Sequence, residues 1–181
     1  MVPTEPNIEK AKQLLKESGV DLSTLDITYQ YNTESARHAL IAQALQQMWK
    51  QIGVNVKLQG LEWSVFQTNR TSGNYDIARA AWGGDYVDPM TFLDLFTKDN
   101  GNNDPKYNNA NYEKYIDQAK HEADPTKRFK VLHQAENQLM TDLPIVPLFY
   151  DVSISCISPK VKGVYVLATS SIYFDQADIT K

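Results

Sequence analysis

Cysteine is nearly absent. Cys156 is the only one in 181 residues, so no internal disulfide staples the chain, and cysteine usage leaves the compartment open. Long apolar runs are also missing: no stretch approaches the roughly 18 consecutive apolar residues of a membrane-spanning helix. Met1-Val2-Pro3-Thr4-Glu5-Pro6 has neither the basic start nor the apolar run of a signal peptide, and any export signal is expected outside these residues. Basic charge is not in excess. Eighteen Lys and Arg against 22 Asp and Glu give a net charge of −4, which argues against the basic stripe of a nucleic-acid-binding surface. Glycine and proline, eight of each, are too few for a collagenous or disordered chain. No internal repeat or low-complexity segment occurs. What is there, 42% hydrophobic and 22% charged, is ordinary globular composition. A chain of this size supports one core, since about 70% of the surface is buried near 150 residues.

Several catalytic signatures are missing as well. His121-Glu122 is followed by Ala123-Asp124-Pro125, so the second histidine of a zinc-protease helix is not present, and the three histidines lie far apart. No serine sits in a GxSxG elbow, and Cys156 lies in a β-rich run with no histidine nearby, where it reads as a small core residue. Gly83-Gly84 lacks the further glycines of a dinucleotide-binding turn and the Lys-Ser/Thr pair of a phosphate loop. No cofactor is expected.

Periodicity supplies the elements. Asn7 can cap a helix with Ile8, Ala11, Leu14 and Leu15 on one face, ending at Gly19. Residues 26–31 read as a strand. A second helix opens at Thr33 or Ser35, with Ile41, Ala44, Leu45 and Met48 inward, and closes at Gly53. Val54, Val56 and Leu58 alternate with Asn55, Lys57 and Gln59, the mark of a half-buried strand. Strand, helix, strand implies a crossover and an α/β fold. A short helix over residues 62–69 precedes a third strand over 75–81. Asp88-Pro89 opens a helix over 90–96, and the polar loop 98–107 is expected on the surface. Two helices form a hairpin: residues 111–123, with Tyr112, Tyr115, Ile116 and Ala119 inward, and 125–140, capped by Asp124, with Phe129, Leu132, Ala135 and Leu139 inward. From Leu143 the pattern turns β-rich, over 145–155 and 164–167, with a Ser158-Pro159-Lys160 turn between.

The densest chemistry is Arg79-Ala80-Ala81-Trp82-Gly83-Gly84-Asp85-Tyr86. A cation, an indole and an anion stand at the end of a strand, and two glycines permit close backbone approach. On these residues alone, Asp85 reads first as a cap of the next turn and Arg79 as the partner of a surface carboxylate. Trp82 fits the wall of a cleft better than a core, while Trp49 and Trp63 read as structural.

Tyr31-Asn32-Thr33 with His38, Ala42 and Trp49, then Ile52-Gly53-Val54-Asn55-Val56, Glu62-Trp63, Gly73 to Arg79, Trp82-Gly83-Gly84-Asp85-Tyr86-Val87-Asp88-Pro89, Ala135-Glu136 and Leu143-Pro144-Ile145-Val146-Pro147-Leu148 together resemble the oligopeptide-binding proteins of ABC importers, the peptide and nickel class of extracytoplasmic solute receptors. The resemblance spans nearly the whole chain but only the C-terminal third of such a receptor. It implies a periplasmic-binding-protein-like lobe, a mixed sheet flanked by helices, in an incomplete piece of a two-lobed receptor. Residues 1–150 would be most of the second ligand-binding lobe, and 151–181 the hinge and return segment to the first.

The resemblance also implies roles. Asp85 would receive a peptide's α-ammonium, an acceptor-only carboxylate meeting a cation. Backbone beside Trp82 and Gly83 would pair with the extended peptide. Arg79, His38 and Arg70 would meet the carboxylate end, where Arg70 also reads as a loop charge and His38 as a solvated or capping residue of a helix start. The protein is then no enzyme. Its partners are an oligopeptide and the membrane permease of the importer, and its place is outside the cytoplasm, as a surface lipoprotein or in a periplasm. Self-association is expected of a lobe whose apolar cleft is uncovered. Two competing functions remain: the same fold binding a sugar, a metal chelate or haem, and a glycosidase using paired carboxylates. A neutral sugar would leave Asp85 without a cation to meet, and no pair of acids is singled out by spacing.

Overall fold

A computed structural model describes residues 6–179. Its contacts sort into two compact units, one of residues up to Ala81 with Asp104–Lys106, the other of Trp82–Asn103 with the chain from Tyr107 onward.

In the first unit, α1 (Ile8–Ser18) begins as the sequence predicts. The Asn7 side chain accepts from the Lys10 N–H at 2.8 Å, and Gly19 ends the helix at φ 68°, a left-handed conformation that costs glycine nothing. Then come β1 (Ile27–Asn32), α2 (Ala36–Gln51), β2 (Val56–Leu61), α3 (Trp63–Ser72) and β3 (Ile77–Ala78). The strands are parallel in the order β2-β1-β3, with Ile27 opposite Val56 and Tyr29 opposite Ile77. The predicted crossover is present. The chain leaves β1 to one side to build β2 and returns past it to build β3, so the C-terminal end between β1 and β3 is the topological switch point, where such sheets bind ligands.

Tyr29, Ala42, Val54 and Val56 form the core here, with Leu15, Leu22, Leu45 and Trp49 packed on it. The inward face of α2 differs from the predicted one. Ala42, Leu45 and Trp49 face the sheet, while Met48 is 57% exposed. An indole removes more apolar area from water than a thioether. The helix turns to bring Trp49 to 6.1 Å from the Tyr29 ring. Trp63, read as structural, lies 6.1 Å from the buried Phe66 but is itself half exposed.

The third strand is shorter than predicted. Arg79 N–H still donates to Gln30 O at 2.9 Å, and the Asn32 carbonyl, one rung further on, is bonded by Nδ1 of His38 at 3.1 Å.

In the second unit, α4 (Met90–Leu93) runs into a 3-10 turn (Asp94–Phe96), followed by α5 (Ala110–His121) and α6 (Pro125–Asp142). Asn109 caps α5 and Asp124 caps α6, the latter accepting from Lys127 N–H at 3.0 Å. Tyr112, Ile116 and Ala119 pack against Val131, Leu132, Ala135 and Leu139, with Met90 and Leu93 beneath. Phe129, predicted inward, is exposed, and Val131 is buried in its stead. Arg128, bonded to Ala119 O and Asp88, shares this inward side with residues 131, 132, 135 and 139.

The polar loop 98–107 is not wholly on the surface. Asn103 is buried, its Nδ2 donating to the carbonyls of Thr97 and Tyr107 at 3.1 and 2.8 Å while its Oδ1 accepts from Tyr107 N–H. One amide thus satisfies the loop's own backbone.

Beyond α6 the predicted β-rich run 145–155 forms no strand. Tyr150 and Ile154 are 97% and 87% exposed, because no strand among the described residues lies alongside to bond that backbone. Short strands follow: β4 (Val161–Lys162), β5 (Tyr165–Val166), β6 (Ile172–Tyr173) and β7 (Asp178–Ile179), paired antiparallel as β4 with β7 and β5 with β6. Cys156, read as a core residue, is exposed, since it lies on this uncovered run.

Candidate ligand-binding site

Asn32, at the C-terminal end of β1, organises the switch point of the first unit. Its side chain is buried, with Oδ1 accepting from Arg79 at 3.3 Å and Nδ2 donating to Glu34 at 2.6 Å. His38, in the first turn of α2, uses Nδ1 on the Asn32 carbonyl. A carbonyl only accepts, so Nδ1 carries the proton, and Nε2 is the nitrogen left for other partners. The Glu34 carboxyl is held below its ordinary value by its own backbone N–H and then by the Asn32 amide. Burial pushes the Tyr29 phenol up, opposed by the positive charge of Arg79. A cation and an imidazole are therefore fixed around one buried amide.

Arg70 is placed differently. It stands in the last turn of α3, not in a loop, and its Nε lies 2.7 Å from Asp104 Oδ2 with both side chains largely buried. The oxygen sits off the N–H direction, so the contact is ionic rather than an aligned hydrogen bond. The guanidinium also covers the Phe66 ring at 5.7 Å. Asp104 thus already partly neutralises this cation.

The remaining candidates belong to the second unit. Trp82, Gly83 and Asp85 lie on a segment without regular structure between β3 and α4. Trp82 is 40% exposed. A Cβ added at Gly83 would meet nothing within 4 Å, whereas one at Gly84 would meet Thr91 Cγ2 at 3.2 Å and Phe92 Cζ at 3.3 Å. A side chain at 84 would therefore press on Thr91 and Phe92, and Gly83 leaves its backbone open to approach. Asp85 donates its N–H to Thr91 Oγ1 at 3.0 Å, and its carboxylate makes no hydrogen bond or ion pair among the described residues. At the start of α4 it is Asp88, not Asp85, that accepts from Met90 N–H, at 2.8 Å.

The structure brings His38 and Arg79 together, puts Arg70 on an acid of its own, and groups Trp82, Gly83 and Asp85 on one short segment of the other unit. Sequence reading missed Glu34, Asp104, Thr91 and Arg128. Asn32 stood in a quoted motif, but nothing in its spacing marked it as buried. Among the described residues no three His, Cys, Asp or Glu side chains gather to hold a metal ion.

Comparison with known proteins gives consistent results. Residues 2–104 match the family described as bacterial extracellular solute-binding proteins, family 5 middle. The chain is 38% identical over 169 residues to the oligopeptide-binding protein OppA of Bacillus subtilis, covering 90% of this chain and 30% of that one. It is 40% identical over 156 residues to the periplasmic murein peptide-binding protein MppA of Escherichia coli, covering 85% and 29%. Among solved structures, Haemophilus influenzae OppA in complex with RPPGFSPFR superposes with a TM-score of 0.82 at 32% identity, over 98% of this chain and 36% of that one. The chain thus spans about 30% of the length of the curated relatives it matches. With its parallel β2-β1-β3 sheet, its polar cluster at the switch point and this likeness over most of its length, the chain belongs to family 5 of the bacterial extracellular solute-binding proteins.

Proposed function

We propose that these residues are the C-terminal ligand-binding part of a receptor that captures extended oligopeptides outside the cytoplasm and delivers them to the permease of an ABC importer. The observation that carries this reading is the exposed Asp85 carboxylate, uncommitted to any other group among the described residues, beside the open backbone of Gly83, in a chain whose relatives are named for peptide binding. Asp85 takes the α-ammonium, the backbone at Trp82 and Gly83 pairs with the peptide main chain, and Arg79 and His38 meet the carboxylate end. Arg70 contributes there only in so far as Asp104 leaves its charge uncompensated. Residues 1–150 serve as the lobe and 151–181 as the hinge and return to a first lobe. The receptor is held at a cell surface as a lipoprotein or lies in a periplasm, and binds rather than transforms its ligand.

The test is calorimetry on the receptor that carries these residues, with trialanine and N-acetyl-trialanine as probes. Asp85→Asn keeps the side chain's shape and removes its charge, so trialanine binding is expected to weaken by about 2–5 kcal/mol, as when one partner of a desolvated pair is removed. The acetylated peptide, which has no ammonium, binds poorly to the wild type and loses little more. A change below about 0.5 kcal/mol, the size of an ordinary surface effect, would overturn the assignment and move the sugar, chelate or haem reading ahead.

A further inference from the structure

The segment that carries Trp82, Gly83 and Asp85 has no helix or strand to hold it, and the Asp85 side chain makes no hydrogen bond or ion pair to the fold among the described residues. The direction of that carboxylate therefore depends on how the backbone around it is pinned. Two polar anchors do the pinning, both inside the second unit. Near one end, Asp85 N–H donates at 3.0 Å to Oγ1 of Thr91, which is buried on α4. At the other, Asp88 receives both terminal nitrogens of Arg128, at 2.6 and 2.8 Å, while Arg128 Nε donates to Ala119 O at 3.1 Å.

All three nitrogens of this guanidinium donate a hydrogen bond. A planar fork bonded twice to a carboxylate and once to a carbonyl has one orientation available. It ties together the root of the segment, the last turn of α5 and the first turn of α6, 40 residues from Asp88 along the chain. Just before the first anchor, Gly84 packs against α4, where a Cβ would come within 3.2–3.3 Å of Thr91 and Phe92.

We propose that Thr91 and Arg128 are positioning residues for the ligand's cationic end: through the Asp85 amide and the Asp88 carboxylate they fix where the Asp85 carboxylate stands. This rests on the reading of Asp85 given above. An ångström of misplacement at a recognition group is enough to lose much of its effect, and lysine cannot replace arginine here, because a point charge does not reproduce a bidentate fork.

Thr91→Val, Thr91→Ser and Arg128→Lys are measured beside Asp85→Asn in the receptor that carries these residues, again with trialanine and its N-acetyl form. Thr91→Val and Arg128→Lys are expected to weaken trialanine by roughly 5- to 50-fold, on the scale of small displacements of a recognition group, with less than about a twofold change for the acetylated peptide. Thr91→Ser, which restores the hydroxyl, is expected to bind like the wild type. In the 181-residue chain, amide exchange at Asp85 should rise in Thr91→Val while α5 and α6 keep their protection. Equal losses for both peptides, or none, would overturn the proposal while Asp85→Asn still discriminates between them. If Asp85→Asn also fails to discriminate, the assignment of Asp85 falls and the positioning role with it.

Discussion

At the scale of single residues, the second unit depends on one ion pair more than its many surface charges suggest. Arg128, through its hydrogen bonds, holds the Asp88 carboxyl below the ordinary carboxylate range, and Asp88 in turn raises Arg128. A carboxyl whose native pKa lies below its unfolded value binds a proton less readily when folded, so its stabilisation is present above the unfolded value near 3.9 and is lost as pH falls through the native one. Asp88→Asn is therefore expected to destabilise α5 and α6 by about 1.5–3 kcal/mol at pH 7, the range of a hydrogen bond to a charged group. The difference from wild type should vanish toward pH 2. Amide exchange in the two helices, followed from pH 7 to pH 2, checks it, and a difference constant across that range would contradict it.

At the scale of elements, the helix positions were legible, and so was the inward face of α5, but the rotation of α2 was not. Caps such as Asn7, Asp124 and Gly19 act through local backbone bonds, and local bonds leave a mark in local sequence. Which face of α2 turns inward depends on the strand beneath it, and Tyr29 selects Trp49 over Met48. Trp49→Ala is expected to cost about 2–4 kcal/mol, somewhat below a fully buried tryptophan, and Met48→Ala to stay within about 0.5 kcal/mol. Chemical denaturation of the two variants decides between the faces, and the reverse ranking would restore the predicted one. The third strand makes the same point, since the carbonyl of Asn32 beyond its last rung is bonded by His38, a residue 40 positions earlier than the strand's end.

At the scale of the whole molecule, each unit has its own apolar core, around Tyr29 and Val56 in one and Tyr112 and Leu132 in the other. After α6, Ile145 still packs on the second core, and beyond it most of the described apolar side chains are exposed. Specific sites for small ligands enclose roughly 70–90% of the ligand surface, and a chain with about 30% of its relatives' length supplies only part of such an enclosure. Calorimetry of trialanine against the 181-residue chain alone is accordingly expected to give no binding in the micromolar range or tighter. Micromolar binding would mean that these residues form a complete site.

The family likeness, the α/β crossover, the hairpin of α5 and α6, and the concentration of chemistry in residues 79–86 were all present in the amino-acid sequence, because each is written in periodicity, capping or a run of neighbouring residues. The partnerships were decided by tertiary structure. Asn32 with Arg79 and Glu34, Arg70 with Asp104, and Arg128 with Asp88 join residues up to 47 positions apart. A side chain's charge is legible in one letter, but whether that charge is already neutralised depends on which distant group the fold sets beside it. Asp85 was singled out among 22 acids by the family resemblance alone; the fold adds that its carboxylate makes no hydrogen bond or ion pair among the described residues.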